Sequence, residues 1–75
     1  MSVKKIVGDN IRGFRNKRSL TQVQLSVHAG INSEHLSRLE TGLENATIET
    51  LDKLASELDV ELYKLFIKDS FKEAT

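Results

Sequence analysis

The sequence contains no cysteine, which removes both a disulfide framework and a thiolate metal site. Its two histidines, His28 and His35, have no ligand cluster beside them, so neither a metal nor a cofactor is expected. Proline is absent and the four glycines are scattered, so no stretch reads as linker, repeat or low-complexity segment. The longest apolar runs are two or three residues, against the roughly 20 that a membrane-spanning helix needs. Behind Met1-Ser2-Val3-Lys4-Lys5 there is no apolar segment of the kind a signal peptide requires. These absences lead to the expectation of a soluble, cytoplasmic protein with no membrane partner and no small-molecule ligand. With 75 residues the chain has room for one domain, residues 1–75, and none for a second, effector-sensing one. Folds of this size bury only about 60% of the surface their unfolded chains expose.

A formal net charge of zero at first speaks against nucleic acid, because proteins that bind it usually carry a basic excess. The distribution of charge says otherwise. Residues 1–38 hold seven basic side chains (Lys4, Lys5, Arg12, Arg15, Lys17, Arg18, Arg38) against two acidic ones (Asp9, Glu34), a net of +5; the remainder holds four basic against nine acidic, a net of −5. Such polarity lets a basic face meet a phosphate backbone while the acidic half points away.

The whole chain reads as helices joined by short turns. Val7, Ile11 and Phe14 recur at i, i+4 and i+7 and mark one face of a helix over about residues 4–18, weakened at Gly13. Thr21 followed by Gln24 is a capping-box pattern that starts a second helix at Gln22 and carries it to about His28. Gly30 tolerates a turn conformation and Asn32 is a strong N-cap for a third helix. On that helix Leu36, Leu39 and Glu40 share one face, while Glu34, Ser37, Arg38 and Thr41 point the other way. Gly42 closes it, Thr47 caps a fourth, and Ile48, Leu51, Leu54, Ala55 and Leu58 form the cleanest apolar stripe in the chain. After a turn at Asp59, Leu62, Leu65 and Phe66 predict a short fifth helix, with Ile67 and Phe71 in a partly apolar tail. The expected fold is all-α, a five-helix bundle.

Two short helices on a tight glycine-containing turn are the layout of a helix-turn-helix, here about residues 21–41. The run Leu20-Thr21-Gln22-Val23-Gln24-Leu25-Ser26, then Gly30-Ile31-Asn32, then Leu36-Ser37-Arg38-Leu39-Glu40-Thr41-Gly42, resembles the phage repressor and Cro type of helix-turn-helix, a lambda repressor-like DNA-binding fold. The resemblance continues through Asn45-Ala46-Thr47-Ile48-Glu49-Thr50-Leu51, Lys53-Leu54-Ala55, Leu58 and Leu65-Phe66, and covers about residues 6–66. It implies a sequence-specific transcriptional regulator that binds a double-stranded DNA operator as a homodimer. Short proteins of this type include restriction-modification controllers, phage repressors and plasmid regulators. By the same resemblance Gln22 contacts a phosphate and braces the third helix, and Arg15 and Glu40 form a partly buried structural ion pair. The outward face of helix three near its start, Ser33, Glu34, Ser37 and Arg38 with Asn32 close by, falls where bases are read. Arg38 suits a guanine, and Glu34 suits a cytosine amino group or the orientation of Arg38 four residues on.

Backbone contacts are expected from Arg12, Lys17, Arg18, Thr21, Gln22, His35 and Asn45, because Leu43 and Glu44 stand where relatives carry basic residues after the glycine. A dimer contact is expected from the segment 60–75, through Leu62, Tyr63, Phe66, Ile67 and Phe71. Val23 and Val27 occupy positions of helix two that are normally polar, so the acidic patch with which some activators touch RNA polymerase is not evident there. RNA polymerase is nonetheless a partner that the resemblance admits. An enzyme finds no support: there is no cysteine, no glycine-rich phosphate loop and no nucleophile-base set at a family spacing. The alternative is a protein-interaction adaptor on the same fold, favoured by the zero net charge, Glu34, Glu44 and the two valines.

Overall fold

Every α-helix of this chain starts on a small polar residue whose side-chain oxygen accepts one of the backbone N–H groups that a helix N-terminus leaves unpaired. Ser2 accepts from Lys5, Thr21 from Gln24, Asn32 from Glu34 and His35, and Thr47 from Thr50. At Thr21 the exchange is reciprocal, since Gln24 Oε1 accepts the Thr21 N–H at 2.9 Å. A computed structural model describes residues 2–73, and these starts define α1 (Val3–Lys17), α2 (Gln22–Ala29), α3 (Ser33–Glu40) and α4 (Ile48–Leu58). Two short 3-10 segments follow, Leu62–Phe66 and Ser70–Lys72. Residues 74 and 75 of the expected dimer segment lie outside the described residues. None of the helices described is long and apolar enough to cross a membrane.

The expected five-helix count is corrected to four α-helices among the described residues. Where a fifth was predicted, the backbone makes only the tight 3-10 turn Leu62–Phe66, whose N-terminal residue Glu61 makes no side-chain cap. A second cause lies on α1. Asn10, fully buried, points its amide nitrogen at the carbonyls of Lys64, Leu65 and Ile67, at 3.3, 2.9 and 2.8 Å. Those carbonyls are the acceptors that a continuing α-helix would need four residues on. Asn10 thus replaces helical propagation as the anchor of the C-terminal segment, and the Ser70 hydroxyl donates to the Lys64 carbonyl as well.

The core draws on every element. Ile11 of α1, Leu25 of α2, Leu36 of α3, Leu54 and Leu58 of α4, and Leu65 of the 3-10 turn are essentially without solvent contact, each worth about 1.5–3 kcal/mol on burial. Between α2 and α3 the chain turns in three residues, with Gly30 at φ +69° and the Ile31 N–H donating to the Ser26 carbonyl at 2.9 Å. α1 meets the end of α3 at van der Waals distance: a Cβ at Gly8 would stand 2.2 Å from the Leu39 carbonyl oxygen. That approach sets the first half of α1 against the last turn of α3.

Replacing Asn10 by alanine leaves the buried Leu65 carbonyl without its donor, while Lys64 keeps the Ser70 hydroxyl and Ile67 the Ser70 N–H, an expected loss of about 1–3 kcal/mol. Hydrogen exchange should show residues 62–72 losing protection before α1 to α4 do; protection lost uniformly along the chain would count against this anchoring role.

Candidate nucleic-acid interface

Arg15 in the last turn of α1 and Glu40 at the end of α3 meet across the α1–α3 contact. Arg15 Nε donates to Glu40 Oε2 at 2.7 Å and its Nη2 to Oε1 at 2.9 Å, while Nη1 donates to the Leu20 carbonyl at 2.8 Å. Gln22, the first residue of α2, gives Glu40 a third donor through Nε2 at 3.0 Å. The two charged side chains are only 11% and 2% exposed, a setting in which a carboxylate must be paired and fully hydrogen-bonded. One ion pair therefore ties together the end of α1, the loop at Leu20, the start of α2 and the end of α3.

With its inner face held in this way, α3 buries Leu36, Leu39 and Glu40 and turns the rest outward. Asn32, Glu34 and Arg38 are exposed, and Ser33, His35 and Ser37 are half-buried. Asn32 Oδ1 is occupied as a cap, accepting the Glu34 N–H at 2.7 Å. Arg38 does not pair with Glu34 four residues back. Its Nε–H goes instead to Glu44 Oε2, and the other carboxylate oxygen of Glu44 lies 2.6 Å from His35 Nδ1. Thr21 and Gln22 flank this face from the start of α2, and Asn45, exposed, follows Glu44.

The other basic residues are spread more widely. Arg12 borders a hollow with Asp9, Asn16 and Phe71, and Arg18 borders another with Leu58 and Lys64. Lys17 is nine residues from Gly8, about half a turn round the helix, so it lies on the side of α1 away from α3. Its amine donates to the Glu73 carbonyl at 3.1 Å. At the C-terminal end, Tyr63, Phe66 and Ile67 are 59%, 40% and 46% exposed. Leu62 and Phe71 pack against the core instead, and the Phe71 ring fills the space over Gly13 that a Cβ would occupy.

Gly8 and Asn10 were absent from the residues singled out by sequence, and Glu44 stood there only as an acidic departure, with no contact to Arg38 or His35 expected of it. Asn10 had a signal, since it interrupts the apolar face of Val7, Ile11 and Phe14 at i+3 from Val7. Glu44 had none, because helix spacing says nothing of a residue that reaches its partners by a turn.

A braced pair of short helices with one polar face outward is the geometry of a helix-turn-helix. The Helix-turn-helix family model matches residues 11–65, and the chain belongs to this family, a class of DNA-binding transcriptional regulators. The uncharacterized HTH-type transcriptional regulator y4dJ of Sinorhizobium fredii is 37% identical over 65 residues, covering 87% of this chain and 84% of the relative. Control protein C.SmaI of Serratia marcescens is 32% identical over 72 residues, covering 96% and 86%. Among solved structures, that of SinR, the master regulator for biofilm formation, in complex with DNA superposes with a TM-score of 0.78 at 29% identity over 81% of this chain and 98% of that one; SinR comes from Bacillus subtilis.

Removing one member of the brace leaves a buried charge alone. Arg15→Ala should cost about 3–5 kcal/mol, and the double change Arg15→Met with Glu40→Leu less than that; denaturant unfolding measures both, and a smaller loss in the single variant would contradict the brace.

The hydrogen bond from His35 and then that from Arg38 hold the Glu44 carboxyl below the ordinary glutamate range. Because the folded-state value lies under the unfolded one, the stabilisation from these contacts is complete at neutral pH and is lost as pH falls through the folded-state value. NMR titration of the Glu44 carboxyl should give a midpoint below the ordinary range that rises in Arg38→Ala, and an ordinary midpoint would refute the pairing in solution.

Proposed function

We propose that the chain binds a pseudo-palindromic DNA operator as a homodimer, with α3 in the major groove, and acts there as a regulator of the restriction-modification controller kind. One observation carries the reading: α3 is locked from behind by Arg15, Glu40 and Gln22, while the outer face holding Ser33, Glu34, Ser37 and Arg38 is left to a partner. In this reading those four residues, with the amide of Asn32, meet base edges. Arg38 offers its guanidinium to a guanine O6 and N7, worth about 1–3 kcal/mol of discrimination.

Thr21 and Gln22 at the start of α2, His35 through its free Nε2 and Asn45 supply phosphate contacts, since such contacts set register while base contacts set sequence. Arg12 and Arg18 add positive potential at the rim. Lys17 is left out of the interface, on the grounds of its bond to Glu73. The similarity in sequence to a control protein, over 72 residues at 32% identity, supports the controller role.

The dimer rests on size and surface. The principal extents are 27 × 25 × 18 Å, less than one DNA turn of about 34 Å, so one copy reaches one major-groove segment and a second is needed for the next half-site. Tyr63, Phe66 and Ile67 form the exposed apolar strip that a second copy covers, and Leu62 and Phe71 support it from inside. Exposure of Val23 and Val27, 61% and 70%, favours a second reading as a protein-interaction adaptor, and the same surface would serve RNA polymerase in the first.

Selection of bound duplexes from random DNA tests the main reading. The chain should enrich a two-fold symmetric site, and Arg38→Ala should relax preference at one position in each half-site. Affinity should fall linearly in log-log form with salt, with a slope of about −0.9 per phosphate neutralised. No binding to any duplex at low salt would sink DNA recognition and leave the adaptor, and sedimentation as a monomer at micromolar concentration with single half-site binding would refute the dimer.

A further inference from the structure

Glu44 is an acidic side chain standing on the face that the proposed function turns toward a polyanion, and electrostatics alone would place a basic residue there. Its position follows from the turn that ends α3. The Leu43 N–H donates to the Arg38 carbonyl at 2.9 Å and the Gly42 N–H to the Leu39 carbonyl at 3.1 Å, so the chain reverses and Glu44 comes back along the outer side of the helix. There its two oxygens take different partners, His35 Nδ1 and Arg38 Nε. His35 and Arg38 are three residues apart, neighbours on one helix face.

The choice of donor on Arg38 matters. A guanidinium has five N–H groups in a rigid fork, and the contact to Glu44 uses the one on Nε. The terminal Nη1 and Nη2 remain as a parallel pair, the geometry that a guanine O6 and N7 accept. An unrestrained arginine loses side-chain freedom when it docks. One whose Nε is already held has lost part of that freedom before it meets DNA.

We propose that Glu44 is a positioning residue for sequence readout: it fixes the guanidinium of Arg38 so that its terminal nitrogens face a guanine, and in doing so gives up affinity for DNA in general. This rests on the reading that Arg38 meets a base. The charge of Glu44 opposes every phosphate it approaches, whatever the sequence, so it lowers non-specific binding. Its hold on Arg38 helps only where a guanine stands. Both effects raise the ratio of specific to non-specific binding, the quantity on which site selection in a genome depends. The low titration range of the carboxyl keeps Glu44 ionised at neutral pH.

The full chain, Glu44→Ala and Glu44→Gln are each compared with and without Arg38→Ala, by titration against three duplexes: the selected site, the same site with the Arg38 base pair exchanged, and random sequence. Circular dichroism checks that each variant keeps its helix content. In Glu44→Ala, binding to random duplex should tighten a few-fold, and discrimination at the exchanged pair should fall about tenfold, the scale of one bidentate contact. Glu44→Gln, which keeps an acceptor for the Arg38 Nε–H but not the charge, should tighten random binding while retaining part of the discrimination. In the Arg38→Ala background, changing Glu44 should alter no base preference. If random binding tightens but discrimination is intact in Glu44→Ala, Glu44 acts as a charge only and the proposal is overturned. If Arg38→Ala itself leaves base preference unchanged, the base-reading assignment fails and takes the proposal with it, an outcome distinct from failure of Glu44 alone.

Discussion

The bidentate contact between Arg15 and Glu40 joins two helices that are far apart in sequence and adjacent in space, and the outward face of α3 owes its orientation to that contact. Glu40 is nearly without solvent, so its carboxylate accepts from three nitrogens on α1 and α2 rather than from water. A buried charge of this kind contributes little net stability over an apolar pair, but it is severely penalised in any arrangement that separates the partners. It therefore selects one relative placement of α1, α2 and α3. Gly8 makes that placement reachable by letting the backbones of α1 and α3 touch.

Much of this fold was legible in the residues, and what was not has physical reasons. The helix starts at Thr21, Asn32 and Thr47 depend on local hydrogen bonds within three residues, and local chemistry is what a sequence displays. The stripe of α4 was nearly as plain: Leu51, Leu54, Ala55 and Leu58 all bury their side chains, whereas Ile48, counted with them, stays 60% exposed at the first residue of the helix. The predicted fifth helix failed on a long-range cause: Asn10, more than fifty residues away along the chain, takes carbonyls that a helix would have used itself. Pattern counting within a short window has no access to such a competitor.

The outward face shows the same division. Alternation of Leu36 and Leu39 with Glu34, Ser37 and Arg38 predicted which side of α3 turns out, and burial follows that division. The partner of Arg38 was another matter. Helix spacing suggested Glu34, four residues away, an exposed pairing worth only a few tenths of a kcal/mol, whereas the turn at Gly42 delivers Glu44 to the same side chain with a second anchor on His35. The residues that bind within one helix are readable from spacing; those assembled by a reversal of the chain need the structure. Lys17 illustrates the converse, a basic residue counted toward a DNA face by charge alone and set on the far side of α1 by geometry.

α3, held by a buried brace, is the element proposed to read DNA. Adding duplex DNA to isotope-labelled protein at low salt, and following backbone amide shifts, tests this most directly. The large shifts are expected to gather at residues 21–22, 32–38 and 44–45. Shifts centred on the C-terminal strip or on the exposed valines of α2, with α3 unmoved, would contradict that role.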